Sequence, residues 1–146
     1  MDYSFLTDMR SFLKTDTNSS YNAAMHIKEN DSINNPINFI ARQDTMRIFD
    51  IVSYNEKHNE ANGENGIDGT DYNYSWNCGI EGPTKKRSVN ELREKQIKNA
   101  LSFVMMSKGS PLFYAGDEFG NTQKGNNNPY CLDGPVTWLN WNDLDK

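Results

Sequence analysis

Asp44 has the clearest potential for chemistry in this sequence, because it closely follows the short apolar run of residues 37–41. Apolar residues fall on both faces of that run when it is extended, which is typical of a strand in a parallel sheet covered by helices. Barrels built from alternating strands and helices place their catalytic groups at the carboxyl ends of such strands. The position of Asp44 therefore predicts a catalytic carboxylate.

A structural role for Asp44 is the alternative. Ile48, Phe49, Ile51 and Val52 recur directly after it with helical spacing. An aspartate before a helix commonly accepts a hydrogen bond from a backbone N–H of the first turn. The local sequence therefore leaves both roles open, and they do not exclude each other.

The elements before Asp44 are predicted to be a helix, a connection and a strand. Residues 5–14 carry apolar side chains at helical spacing, with Asp8 and Arg10 facing outward. Residues 15–35 are polar and predict a connection, which Pro36 ends.

A long loop is predicted after Asp44, over residues 53–87, which show no sustained periodicity and are rich in Gly, Asn, Asp and Glu. Loops of this length are usually functional or disordered. The basic cluster at residues 85–87 predicts a solvated approach to the next helix.

The clearest helix is predicted to start at Ser88, since Ser88 and Glu91 fit a capping box. Gly109 is then predicted as the glycine that ends the helix, and Pro111 blocks its continuation. About twenty residues correspond to roughly 30 Å of helix. Residues 112–115 predict a second buried strand. The apolar stripe of this helix comprises Ile97, Ala100, Leu101, Val104 and Met105.

Two strands joined through a helix are predicted to pair in parallel. Two parallel strands alone do not make a stable sheet. The elements therefore predict an α/β fold that is a piece of a larger sheet, or that finds sheet partners in another chain. The composition agrees with a loop-rich chain, since 36% of the 146 residues are hydrophobic, 20 are Asn, and the mean hydropathy is -0.84.

Charge and motifs exclude several classes of function. The net charge of -5 argues against a nucleic-acid partner, because the phosphate backbone demands clustered Lys and Arg. There is no apolar run of eighteen residues, so no membrane span is predicted, and no secretory signal is visible. His26 and His58 have no partners at ligand spacing, so neither a metal nor any other cofactor is predicted. Cys78 and Cys131 are interpreted as reduced, structural cysteines of a cytoplasmic protein, with a disulfide left open.

The motif around Asp44 resembles a known one. Residues 37–44 (INFIARQD) resemble the end of the seventh barrel strand in the α-amylase superfamily of glycoside hydrolases, and residues 109–118 (GSPLFYAGDE) resemble its eighth-strand motif. Residues 52–64 (VSYNEKHNEANGE), 74–79 (YSWNCG) and 125–131 (GNNNPYC) are similar to its isoamylase, pullulanase and glycogen-debranching branch. The resemblance runs from about residue 5 to the end of the sequence.

The resemblance implies a partial (β/α)8 barrel with about strands 7 and 8 and their flanking helices, so that residues 1–146 form a single incomplete segment of a catalytic barrel. It implies retaining hydrolysis of α-1,6 branch linkages in glycogen-like α-glucans, which needs a carboxylate nucleophile and a carboxylic acid. In the family both lie upstream of the segment present here, so the chain is predicted to be inactive alone. The aspartate matching Asp44 hydrogen-bonds hydroxyls of the reacting sugar.

Further site residues are predicted from the same resemblance and from the aromatic pattern. Gln43 stands where the family has His, and its amide has no titratable ring, which implies impaired turnover. Tyr72, Tyr74 and Trp76 alternate, so an extended chain would place three rings on one side. Such rings either stack on sugar faces or pack the long loop onto the barrel.

The segment 126–130 supplies the last candidates, Asn127 and Tyr130, which either bond glucan hydroxyls or belong to a plain polar turn. Asp117 and Glu118 follow a strand end and could reach a ligand, but the preferred interpretation is structural hydrogen bonding at the barrel rim. Two hypotheses stay open beside the hydrolase segment, namely a non-catalytic glucan-binding or interaction module, and one half of a split enzyme completed by a second chain. Unpaired strand edges also predict a homo-oligomer.

Overall fold

The fold, in a computed structural model that describes residues 1–28 and 35–144, is a set of helices around a two-stranded sheet. Its regular elements are α1 (Tyr3–Leu13), α2 (Ser19–Lys28), β1 (Ile37–Asn38), α3 (Ile48–Ile51), α4 (Arg87–Met106) and β2 (Ser110–Pro111). Short 3-10 turns cover Glu60–Asn62, Asp117–Phe119, Pro129–Cys131 and Trp141–Asp143. β1 and β2 pair in parallel, with Ile37 opposite Ser110, so the predicted parallel pairing is confirmed.

Helix α1 forms where it is predicted, but one of its side chains points the other way. The helix begins because Asp2 Oδ1 accepts hydrogen bonds from the backbone N–H groups of Ser4 (3.0 Å) and Phe5 (3.1 Å). The prediction that Arg10 faces outward is wrong, since its side chain is only 2% exposed. Arg10 lies one turn after buried Leu6, on the face that packs inward.

Helix α2 corrects the prediction that residues 15–35 form a connection. The helix packs along α1, where Asp8 accepts a hydrogen bond from Asn22 (3.1 Å) and lies 2.9 Å from His26 Nε2. Only Ala23 is buried in α2, so its helical periodicity is weak in the sequence. Residues 29–34 of the predicted connection lie outside the described residues.

Helix α4 has the predicted length of 20 residues but different ends. It begins at Arg87, and its N-cap Lys86 makes no side-chain capping bond, so the predicted capping box is wrong. Glu91 instead accepts from Arg87 Nε at 2.7 Å on the helix surface. The C-cap is Ser107 in extended conformation. The predicted stripe is confirmed at Ala100 and Val104, which are buried, but Met105 is 62% exposed.

Gly109 has a packing role rather than the predicted role at the helix end. Its φ is +133°, and a Cβ there would lie 2.6 Å from the carbonyl oxygen of Pro36. The missing side chain therefore lets the start of β2 approach β1 closely. Ser110 N then donates to Pro36 O at 2.8 Å.

Both strands are shorter than predicted. β1 covers two residues of the predicted 37–41, because the carbonyl of Ile40 is bonded by the Arg10 side chain rather than by a strand. The prediction of a strand over 112–115 is wrong, since β2 ends at Pro111 and only Leu112 N continues the ladder, to Asn38 O at 2.8 Å.

The segment between α3 and α4 is a long loop that ends at Lys86, one residue before the predicted end, because α4 begins at Arg87. A short 3-10 turn is its only regular element among the described residues. It is tied to the core through backbone bonds from Trp76 N to Ile51 O (2.8 Å) and from Gly82 N to Ser53 O (2.7 Å). The cysteines are free, with Cys78 buried and the other exposed, as predicted for reduced residues. Across the described ranges, no helix combines the length and the apolarity that crossing a membrane requires.

Candidate functional site

Asp44 lies in the turn that follows β1, with its side chain 47% exposed. The interpretation of Asp44 as a helix N-cap is wrong, because α3 begins only at Ile48 and its N-cap is Arg47. The turn is closed by a bond from Thr45 N to Arg42 O (3.1 Å). A half-exposed carboxylate that caps no helix is free to face a ligand.

Arg42 holds one oxygen of this carboxylate. Its Nε lies 2.5 Å from Asp44 Oδ1, although the N–H does not point at the oxygen, so the contact is an ion pair rather than an aligned hydrogen bond. The guanidinium of Arg42 lies 5.2 Å from the ring centroid of Tyr3 and 5.8 Å from that of Phe39, and it donates to the Tyr3 hydroxyl. No described residue hydrogen-bonds Asp44 Oδ2, so this oxygen can accept from a ligand.

Asp44 opens onto a cleft of about 210 Å³ where α1, the turn after β1 and residues 70–74 of the long loop meet. Among the described residues lining it, Asp44 is the only carboxylic acid. The walls combine hydroxyl, amide and aromatic groups with one buried cation. The lining residues are Tyr3, Leu6, Thr7, Arg10, Asp44, Thr45, Thr70, Tyr72, Asn73 and Tyr74.

The buried side chain of Arg10 hydrogen-bonds both walls of the cleft. Its Nε donates to Ile40 O (2.9 Å) on the strand side, and its Nη1 donates to Asn73 O (2.9 Å) on the loop side. Its Nη2 also reaches Met46 O and Thr45 Oγ1, both at 3.2 Å. Burial lowers the pKa of Arg10 to about 9, so it stays cationic at neutral pH. Sequence reasoning missed this residue, and its place in the apolar stripe of α1 is the signal that could have found it.

Two of the three alternating aromatic residues belong to the cleft. The rings of Tyr72 and Tyr74 meet edge to face with centroids 4.6 Å apart. Tyr74 has a φ of +51°, so this segment is not a regular extended chain. Trp76 is half-buried, packs against the apolar core and is not among the lining residues.

The other predicted site residues lie outside the cleft. Gln43 is exposed beside it, and Tyr130 is 80% exposed on the remote 3-10 turn. Asn127 is buried, donates to Thr70 O and Asn73 Oδ1 (both 2.8 Å), and accepts from the Asn59 amide (2.9 Å). Asn127 therefore holds Thr70 and Asn73 of the long loop, which line the cleft, in position without lining the cleft itself.

Asp117 is structural, as interpreted from the sequence. It is buried 3.2 Å from Arg47, and burial raises its pKa to about 6 although the cation opposes that shift. Asp50, which sequence reasoning did not single out, is also buried, and burial raises its pKa to about 6 despite a hydrogen bond from Gln123 N. Within residues 1–28 and 35–144, no group of three or more His, Cys, Asp or Glu side chains is placed to hold a metal ion.

No protein-family model matches the chain. Curated proteins do match, and a glycogen operon protein GlgX homologue of Mycobacterium tuberculosis is 51% identical over 110 residues, covering 75% of this chain and 15% of that protein. The glycogen operon protein GlgX homologue of Haemophilus influenzae is 43% identical over 128 residues, covering 82% and 19%. Chloroplastic isoamylase 3 of Oryza sativa subsp. japonica is 40% identical over 147 residues, covering 95% and 19%. The chain thus spans less than a fifth of the length of these relatives.

Proposed function

Because this chain belongs to the isoamylase-type, glycogen-debranching family of glycoside hydrolases, we propose that it forms a glucan-contacting part of such an enzyme, with Asp44 as the contacting carboxylate. The observation that carries the proposal is the cleft itself. It is lined by a half-exposed carboxylate and three tyrosines, a combination of polar acceptor and flat apolar surface that suits a sugar.

In this proposal, hydroxyl groups of a glucosyl unit donate hydrogen bonds to the free Oδ2 of Asp44. Retaining glycoside hydrolysis passes through an oxocarbenium-like transition state, in which hydrogen bonds to sugar hydroxyls become stronger. The fixed position of Asp44, held by Arg42 at 2.5 Å, means that little reorganisation is needed as charge develops. Asp44 would therefore stabilise the transition state without forming or breaking a covalent bond itself.

The isolated chain is proposed to cleave no glycosidic bond. Retention needs two carboxyl groups about 5 Å apart across the scissile bond. Asp44 is the single carboxylic acid among the described lining residues of the cleft, which supports the proposal that the nucleophile and the acid come from elsewhere. The parallel β1–β2 pair with α4 between its strands supports assigning them to neighbouring strands, about 7 and 8, of a (β/α)8 barrel.

Binding and hydrolysis can be tested on the same protein. We expect maltotriose to shift the NMR resonances of residues around Asp44 at millimolar sugar, and we expect no reducing sugar to be released from glycogen. Asp44→Asn should weaken binding, whereas Glu64→Gln, an isosteric change at an exposed site outside the cleft, should not. Absence of binding by the wild type, or equal effects of the two substitutions, would refute the role of Asp44. Enzyme-like glucan hydrolysis by the chain alone would refute its inactivity.

A second candidate function is a glucan-binding module that takes part in no hydrolysis even in a larger assembly. Gln43 favours it, because an amide replaces the titratable ring that the family pattern has at this position. Adding a polypeptide that carries barrel strands one to six distinguishes the candidates. Restored glucan hydrolysis would support the hypothesis that the chain is one half of a split enzyme. Glucan binding without hydrolysis would support the hypothesis of a glucan-binding module.

The exposed edge of the sheet also motivates the proposal of a homo-oligomer. On β1, Asp2 N already donates to the carbonyl of Ile37 (3.0 Å), so the edge in question is that of β2. Phe113, just beyond β2, is 38% exposed. An unpaired edge next to apolar side chains invites pairing with another chain. Light scattering tests this, and a monodisperse monomer across the accessible concentration range would contradict it.

A further inference from the structure

We propose that Tyr72 is a specificity-determining residue of the Asp44 cleft, which stacks on and donates a hydrogen bond to the bound glucosyl unit and is held in position by Lys14. This inference rests on the proposed function, since it names the group that recognises the sugar in the same cleft. Three structural features carry it: the anchoring of the loop next to Tyr72, the accessible ring, and the polarity of its hydroxyl group.

The first feature is the anchoring of the loop at Asn73. Its carbonyl accepts from Arg10 Nη1 (2.9 Å), its Oδ1 accepts from Asn127 Nδ2 (2.8 Å), and its Nδ2 donates to Thr70 O (3.0 Å). Asn73 is thus fixed toward the interior, and both of its neighbours line the cleft. The position of Tyr72 is therefore set before any ligand binds, which lowers the entropic cost of binding.

The second feature is the ring of Tyr72, a residue that is 55% exposed. Its centroid lies 4.6 Å from that of Tyr74, at an angle of 71° between the ring planes. The neighbouring ring fixes its orientation by an edge contact, so apolar surface remains available in the cleft. A pyranose offers the complementary flat C–H face.

The third feature is the direction of the hydrogen bond at the Tyr72 hydroxyl. Lys14 Nζ donates to the phenolic oxygen at 2.7 Å and lies 4.9 Å from the ring centroid. An ammonium group has no acceptor, so the hydroxyl proton of Tyr72 cannot be used by Lys14 and is free for a ligand oxygen. The hydrogen bond to Tyr72 also raises the pKa of Lys14, which keeps this donor charged. The lining of the cleft thus includes a donor at Tyr72 and an acceptor at Asp44, and sugar hydroxyls can bond both because each hydroxyl donates and accepts.

The test measures the affinity for maltotriose of the full chain by NMR with labelled tyrosine rings. Tyr72→Ala should weaken binding about tenfold, and Tyr72→Phe, which keeps the ring but loses the hydroxyl group, about fivefold. Tyr21→Ala is the matched control, because Tyr21 is 69% exposed on α2 and does not line the cleft. It should leave the affinity unchanged.

A double-mutant cycle then separates positioning from general structural effects. Lys14→Met should weaken binding in the wild type but have little further effect in the Tyr72→Phe background, because both changes act on the same hydroxyl group. Additive effects would overturn the role of Lys14. Suppose that the wild type binds and that Asp44→Asn weakens binding but Tyr72→Phe does not. The inference about Tyr72 then fails, while the proposed function stands. If the wild type does not bind at millimolar maltotriose, both fail.

Discussion

Arg10→Met tests whether one buried cation holds the cleft together. Methionine keeps most of the apolar volume of the arginine stem but removes the guanidinium. The carbonyls of Ile40, Met46 and Asn73 then lose their Arg10 donor, at contacts that measure 2.9, 3.2 and 2.9 Å in the native protein.

The size of the effect follows from the carbonyls of Ile40 and Asn73, because Met46 O also accepts from Thr45 Oγ1 at 3.2 Å. An unsatisfied buried acceptor costs about 1–3 kcal/mol, and taking the middle of that range for these two carbonyls predicts a loss of about 3–5 kcal/mol in the free energy of unfolding. Domains of this kind are stable by only about 5–15 kcal/mol, so the loss is a large part of the total. With a urea m-value of about 2 kcal/mol/M, the unfolding midpoint should fall by about 2 M.

Urea unfolding followed by tryptophan fluorescence measures this midpoint. The control is Arg87→Met, because the side chain of Arg87 is 91% exposed and its pairing with Glu91 is a surface ion pair of little energetic weight. Arg10→Lys keeps the charge but has a single donor nitrogen, so it should recover part of the loss, and it provides a measurable variant if the methionine protein does not fold. Equal midpoints for Arg10→Met and Arg87→Met would refute the bridging role of the buried guanidinium.

Three further predictions concern buried polar groups and one glycine. Burial raises the pKa of Asp50 from 3.8 to about 6, so its contribution to stability is fully present below pH 3.8 and is lost as the pH rises through about 6. Between about pH 4 and about pH 7, the wild type should therefore lose about 2–3 kcal/mol in its free energy of unfolding that Asp50→Asn, which cannot titrate, does not lose. Urea unfolding of both proteins at the two pH values measures this difference. Asn127→Ala should lower stability by about 2–3 kcal/mol in thermal unfolding because its internal partners stay buried, whereas Tyr130→Ala at an exposed site should not. Gly109→Ala should cost more than about 1 kcal/mol in urea unfolding, since a Cβ meets a backbone oxygen at 2.6 Å, whereas Gly134→Ala has open space and should be neutral.

The positions of Asp44 and α4 could be predicted from the sequence because local patterns determine them. The apolar run before Asp44 and the long stripe around Ala100 and Val104 are signals that lie within a few residues of the elements they specify. The ends of α4 were less predictable. Glu91 fits a capping box by spacing, yet it pairs with Arg87 instead, and the spacing cannot distinguish these outcomes.

The interior of the cleft could not be predicted because distant contacts form it. Arginine is rarely buried, so a sequence rule places Arg10 on the surface. Its acceptors Ile40 and Asn73 lie 30 and 63 positions along the chain, and no local pattern shows that their carbonyls need a donor. The alternation of Tyr72, Tyr74 and Trp76 is visible, but which rings face the cleft depends on the inward anchoring of the residue between the tyrosines.

The parallel ladder has a consequence for the order in which the chain folds. Ile37 pairs with Ser110, so the sheet closes a loop of about seventy residues for only two paired positions. Closing such a loop lowers the conformational entropy of the chain before the two strands gain any stabilising contact, and contacts between distant residues slow folding. The helices, whose bonds are local, should therefore form early and the ladder last. A refolding chain would acquire its helical circular dichroism before β1 and β2 pair and the turn that carries Asp44 is in place.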